Sequence, residues 1–266
     1  MNYARYSTAF VLLLLFASPV WADGEDLNTL MMRATVKISH DKSTATGFVL
    51  SKEGNPRSIL ITAAHVFEQT PDDETTVIFR ILESEGVYKR APLKLAIRSR
   101  GKSVYARHPT EDVAAIWIDP PANADLPKLS PALLASDELL RQHKVHPGEI
   151  LSCLGYPHRN EGSDAGFPLL RIGPIASFPL LPTAKTKTFM FSANSFEGDS
   201  GGPVYLERAA QPNAAEVRLI LGLISGQRFL DEEAKMVYGT TKIRHRLGLA
   251  NVVHASFIRA TIDRLP

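Results

Sequence analysis

Apolar and β-branched runs of strand length recur along most of the chain, set apart by short polar pieces. In the first half these runs are Ala34 to Ser39, Thr46 to Leu50, Ser58 to Ala63, Thr76 to Leu82 and Val113 to Ile118. Turn-rich segments such as Ser51 to Arg57 (S-K-E-G-N-P-R) lie between them, which is the pattern of an all-β sandwich or barrel. Residues 119–148 break it with prolines and the leucine pairs Leu133/Leu134 and Leu139/Leu140, predicting a linker with a helical turn or two. Strand-length runs resume at Glu149 to Leu154, Leu169 to Phe178, Lys187 to Ala193, Val204 to Leu206, Val217 to Ser225 and Lys235 to Thr241. At the end, Ser256 to Leu265 puts Ile258, Ile262 and Leu265 on one helical face behind a serine N-cap. The pattern predicts an N-terminal β-barrel over 23–125, a linker over 126–148, and a second barrel with a terminal α-helix over 149–266.

Residues 1–22 carry Arg5, an apolar run from Phe10 to Phe16, and small or apolar residues at the positions before a cut after Ala22, as in a secretory signal peptide. The expectation is an exported protein, periplasmic or secreted, with no membrane span in its mature chain. Overall the chain has 30 basic and 28 acidic side chains, a formal net charge of +2. So small an imbalance makes no electrostatic case for nucleic acid or an anionic membrane as partner. Cys153 is the single cysteine, so no intramolecular disulfide is available, and its apolar setting reads as core.

The most informative chemistry is in Phe196 to Pro203, F-E-G-D-S-G-G-P. Glycines on both sides of Ser200 allow a tight turn whose backbone amides stay uncovered. Gly198, Ser200 and Gly202 also satisfy the G-x-S-x-G elbow of α/β-hydrolase esterases, but Pro203 and a strand-like run follow where that fold needs a helix. A serine nucleophile requires a base and a group that orients the base. His65, in T-A-A-H directly after a strand, is the candidate base, and Asp112, in D-V-A-A-I at the start of another, is the candidate orienting acid. Glu111, on the opposite strand face, reads as a solvated carboxylate.

With these three motifs in the order His65, Asp112, Ser200, the chain resembles the trypsin-like (chymotrypsin-fold) serine peptidases, of a bacterial secreted or periplasmic type. The resemblance implies two six-stranded antiparallel β-barrels, peptide-bond hydrolysis through an acyl-enzyme, a polypeptide substrate and no cofactor. It also implies an oxyanion hole made by the amides of Gly198 and Ser200. Asn194 would lie at the base of the specificity pocket, and Ser225 and Gly226 on the strand that pairs with substrate, Ser225 beneath Asp112. In zymogen-type relatives the aspartate matching Asp199 pairs with a newly cut amino terminus, yet this chain has no I-V-G-G-like start. A protein of this shape that binds peptides without cleaving them is the rival expectation. The spaced pair His143 and His146 lacks the rest of a zinc set, so no metal is expected, and the remaining histidines read as surface or unassigned.

Overall fold

The computed structural model describes residues 25–40, 43–210, 215–236 and 239–266, so the signal-peptide segment lies outside the described residues. Two antiparallel sheets, one in each half of the chain, carry the fold. The first contains β1 (Thr35–His40), β2 (Ser43–Ser51), β3 (Ser58–Thr62), β4 (Glu74–Ser84) and β5 (Val87–Ala96). After a small ribbon of β6 (Arg98–Ser99) and β7 (Lys102–Ser103) come β8 (Ala106–Arg107) and β9 (Ala114–Ile118). Their spatial order is β5-β4-β1-β2-β3-β9-β8, seven strands where six were expected because the two-residue β8 adds an edge.

The second sheet holds β10 (Ile150–Gly155), β11 (Leu169–Pro174), β12 (Thr188–Phe191), β13 (Pro203–Arg208), β14 (Val217–Met236) and β15 (Gly239–His254). Its order is β11-β10-β13-β14-β15-β12. Every pairing between these strands is antiparallel, which removes the doubly wound α/β alternative.

Strand alternation explains the unbroken apolar runs. In β2 and β3, Phe48, Leu50, Ile59 and Ile61 face one buried cluster shared with the second half, while Val49 and Leu60 face the other, inside the first half. A strand covered on both faces has no polar side to display, so it reads as continuous hydrophobicity. Cys153, in β10, belongs to the shared cluster, and burial pushes its thiol up to about 12.

Helix α1 (Leu27–Ala34), unmarked in the sequence pattern, is capped by the Asp26 carboxylate, which accepts from Thr29 N at 2.9 Å. It buries Leu27, Met31 and Ala34, one face of a helix, and Leu27 N donates to Glu207 of β13 at 2.7 Å. The predicted linker contains α3 (Asp137–Gln142), after the single turn α2 (Ala64–Glu68) in the first half. Terminal helix α4 (Ala255–Ile262) buries Ile258 and Ile262 as expected, but it starts two residues earlier than a Ser256 cap would set. His254 is its N-cap and Ser256 lies within the first turn, so the predicted serine cap is corrected.

Two strand expectations also need correcting. Lys235 to Thr241 does not form one strand: it straddles the end of β14 and the start of β15, which pair as Ala234↔Thr241 and Met236↔Gly239. β14 therefore continues well beyond Ser225, and β5 is a strand that the pattern did not mark.

Candidate active site

His65 sits on α2, one turn immediately after β3. Ala63 and Ala64 are fully buried, Ala63 in the shared cluster and Ala64 in the cluster inside the first half, so their small side chains let this turn pack against both while the imidazole stays partly exposed. Asp112 precedes β9, the neighbour of β3, so sheet pairing alone brings acid and base together. Asp112 Oδ1 accepts from His65 N at 3.0 Å, and Oδ2 lies 2.7 Å from Nδ1. One carboxylate thus grips both backbone and ring. A proton on Nδ1 completes the second bond and leaves Nε2 as the basic nitrogen. Burial opposes ionisation of Asp112, yet the hydrogen bonds and charge of His65 outweigh it and hold the carboxyl below its ordinary value.

Ser200 lies on the turn between β12 and β13, and lines with His65 a cleft of about 550 Å3 whose walls include Thr44, Gln69, His158 and Glu197. Among the described residues its hydroxyl makes no hydrogen bond to His65. The turn is held from several sides. Thr46 of β2 donates twice, from N to Ser200 O at 2.9 Å and from Oγ1 to Gly198 O at 2.6 Å, so the first half clasps the turn of the second.

Two further bonds orient the amides. His158 N donates to Glu197 O at 2.7 Å, and Gly202 N to Asp199 O at 2.9 Å. Because N–H and C=O of a trans peptide point oppositely, anchoring these carbonyls turns the amides of Gly198 and Ser200 the other way. Neither amide donates a hydrogen bond among the described residues. Gly198 is required here: its φ is +101°, and a Cβ would stand 2.1 Å from Tyr156 O.

Under the turn, Asp199 is fully buried and pairs with Arg171 of β11. Both carboxylate oxygens receive a guanidinium nitrogen at 2.6 Å, and Phe196 N donates to Oδ2 at 2.7 Å. Arg171 also donates to Asn194 O at 3.0 Å. Burial works against its charge, but Asp199 more than offsets this and keeps the guanidinium pKa above its usual value. Arg171, Thr46 and His158 carry no motif and were missed in the sequence, since their meaning lies in partners 28, 152 and 39 positions away.

Asn194 Oδ1 lies against Gly248 of β15, where a Cβ would be 3.4 Å away, and Gly226 pairs with Asn251. Ser225 does not hydrogen-bond Asp112; its hydroxyl reaches Asn251 O at 3.4 Å, because a bulge between Ile224 and Gly226 turns it toward β15. Glu111 is not solvated as predicted: it is buried and accepts from Lys187 Nζ at 2.6 Å and Thr110 Oγ1 at 2.9 Å. His108 is likewise built in, with Nδ1 accepting from Glu111 N at 3.0 Å and its ring 5.1 Å from Phe257. Among the described residues no group of three or more His, Cys, Asp or Glu is placed to hold a metal ion, and no helix is long and apolar enough to cross a membrane.

Residues 45–210 match the family model described as the trypsin-like peptidase domain. A search of curated proteins finds no match. Among solved structures, human heparin binding protein is 15% identical, with 88% of this chain and 91% of that one covered at a TM-score of 0.50. An inactive-form serine-to-alanine mutant of Rv3671c from M. tuberculosis H37Rv is 19% identical, covering 89% and 88% at a TM-score of 0.47. At such identities the first of these likenesses is one of fold, and the second carries no argument.

Proposed function

The chain belongs to the trypsin-like peptidases, and from that premise we propose that it is a serine endopeptidase with Ser200 as nucleophile, His65 as base and Asp112 as orienting acid. The observation that carries this reading is the double grip of Asp112 on His65 beside the cleft that Ser200 lines. Ser200 Oγ attacks the scissile carbonyl as its proton passes to His65 Nε2. Asp112 remains ionised and stabilises the imidazolium. The negative charge on the former carbonyl oxygen is received by the amides of Gly198 and Ser200, whose directions are fixed before substrate arrives. His65 then returns the proton to the departing amine. Water, activated by the same imidazole, hydrolyses the ester left on Ser200.

Asp199 and Arg171 supply the rigidity this requires. A cation within the chain occupies the place that a cleaved amino terminus takes in zymogens, so the turn needs no proteolytic trigger. Ser225 and Gly226 serve the backbone of the substrate, and Asn194 the base of the pocket for the residue before the cut. The proposal includes export by the segment 1–22, and boundaries at 23–125, 126–148 and 149–266.

The unmade Ser200–His65 hydrogen bond favours one rival, a peptide-binding protein of this fold without turnover. Incubation with a diverse peptide library separates the two. Cleavage products from the wild type and none from Ser200→Ala support the peptidase; an intact library with both proteins supports the binder.

A further inference from the structure

The β14–β15 hairpin runs far beyond the body of its sheet. β13 covers one edge of β14 up to Leu223, which pairs with Pro203. The nucleophile turn covers the next residue, Gly201 N donating to Ile224 O at 2.7 Å and Ile224 N to Gly202 O at 2.9 Å. From Ser225 to Met236 this edge has no cover: among the described residues, the main chain there pairs with β15 alone. The open edge therefore begins at the seat of Ser200 and leads away from it. From Gly226 to Met236 it spans roughly 34 Å at the rise of an extended strand.

The base of this ribbon is fixed to the active site. The Arg246 guanidinium lies 4.6 Å over the ring of Phe196, in the nucleophile turn, and 3.4 Å from His158 Nε2. One step further out Arg244 lies 5.0 Å over Phe229 and bonds Asp231. On the other face the ribbon displays Leu230 and Ile243, 55% and 42% exposed. A long open edge flanked by exposed apolar side chains invites another strand, and folds usually cover or blunt it.

We propose that this edge extends the substrate groove: polypeptide on the N-terminal side of the scissile bond adds to β14 as an antiparallel strand, past Gly226 and along Phe229 to Glu233. The enzyme would thus favour extended segments with about eight residues ahead of the cut, the main chain supplying the bonds and the Leu230 face favouring apolar side chains at alternate positions. This rests on Ser200 as nucleophile and on Ser225 and Gly226 as the substrate strand.

The test is a series of peptides sharing three residues before the cut and one leaving group, lengthened to five and eight residues on the N-terminal side. For the wild type, kcat/KM should rise roughly tenfold or more between the shortest and longest. N-methylation of alternate amides in the longest peptide should remove the gain in one phase and spare it in the other. A trimmed variant in which Asp231 to Arg244 is replaced by Asn-Gly keeps Arg246 and the edge as far as Leu230, so it should retain the gain from three to five residues and lose that from five to eight.

A flat wild-type series, a five-to-eight gain that survives trimming, or a gain that survives both phases of methylation overturns the proposal. So does light scattering that finds a dimer lost on trimming together with a flat series, since a second copy then covers the edge. If no peptide of any length is cleaved, the nucleophile reading is what fails. Fluorescence anisotropy of the longest peptide on wild-type and trimmed protein then decides the edge: ribbon-dependent binding supports it, and none refutes it.

Discussion

Arg171→Met isolates the part of the account that concerns the nucleophile turn. The substitution keeps much of the side chain's length but leaves Asp199 fully buried, with Phe196 N as its remaining donor. Opposite charges near 4 Å attract by about 4 kcal/mol at an effective dielectric near 20. Breaking a buried pair from one side costs about 3–5 kcal/mol, because the charge left behind has no compensation. Applied to the turn, this is a shift of roughly a hundredfold to several thousandfold away from its ordered state.

Urea unfolding followed by intrinsic fluorescence and peptide cleavage at saturating substrate together show where the cost falls. If turn and fold disorder together, stability drops by that amount; if the turn disorders alone, kcat does. Arg171→Lys retains charge without the two-pronged geometry and should fall between. Adding Asp199→Asn to Arg171→Met removes the stranded charge and should recover part of the stability. An Arg171→Met protein within about 0.5 kcal/mol of wild type and equally active would refute the reasoning.

Three other perturbations follow from the same geometry. Gly198→Ala forces a Cβ against Tyr156 O and should cost roughly 100- to 1,000-fold in kcat, measured on a peptide whose KM changes little. Thr46→Val strands the buried Gly198 carbonyl, at a cost of about 1–3 kcal/mol, and should lower melting temperature and kcat together, whereas Thr46→Ser should retain both. His254 is 2% exposed, with its ring 4.9 Å from Phe189, and burial depresses its pKa from 6.5 to about 4 despite opposing help from Asp137. Its neutral form is the one that folds, so its contribution is full above pH 6.5 and fades as acidity increases toward pH 4, by about 3 kcal/mol. His254→Phe should flatten that window in unfolding measurements across pH.

The legible features were those written in neighbouring residues. Phe196 to Pro203 announces a turn because its glycines are adjacent, and β2, β3 and β9 announce themselves because burial on both faces makes them apolar throughout. Arg171 was not legible: one arginine on a strand looks like any solvated cation until Asp199 is placed beneath it. The far part of the β14–β15 hairpin failed for the opposite reason. Exposure on both of its faces removes the alternation by which a strand is read, so the apolar and β-branched run Lys235 to Thr241 reads as one strand instead of two hairpin ends that pair as Met236↔Gly239. Glu111 misled because its partner, Lys187, is 76 positions away.

The central claim is that Ser200 is made nucleophilic by His65. Treatment with a fluorophosphonate, followed by intact-mass measurement and peptide mapping, tests it directly. A single adduct on Ser200 is expected, absent in Ser200→Ala and formed at least roughly 100-fold more slowly in His65→Ala. An unmodified wild type, or labelling of Ser200 that proceeds as fast without His65, would contradict it.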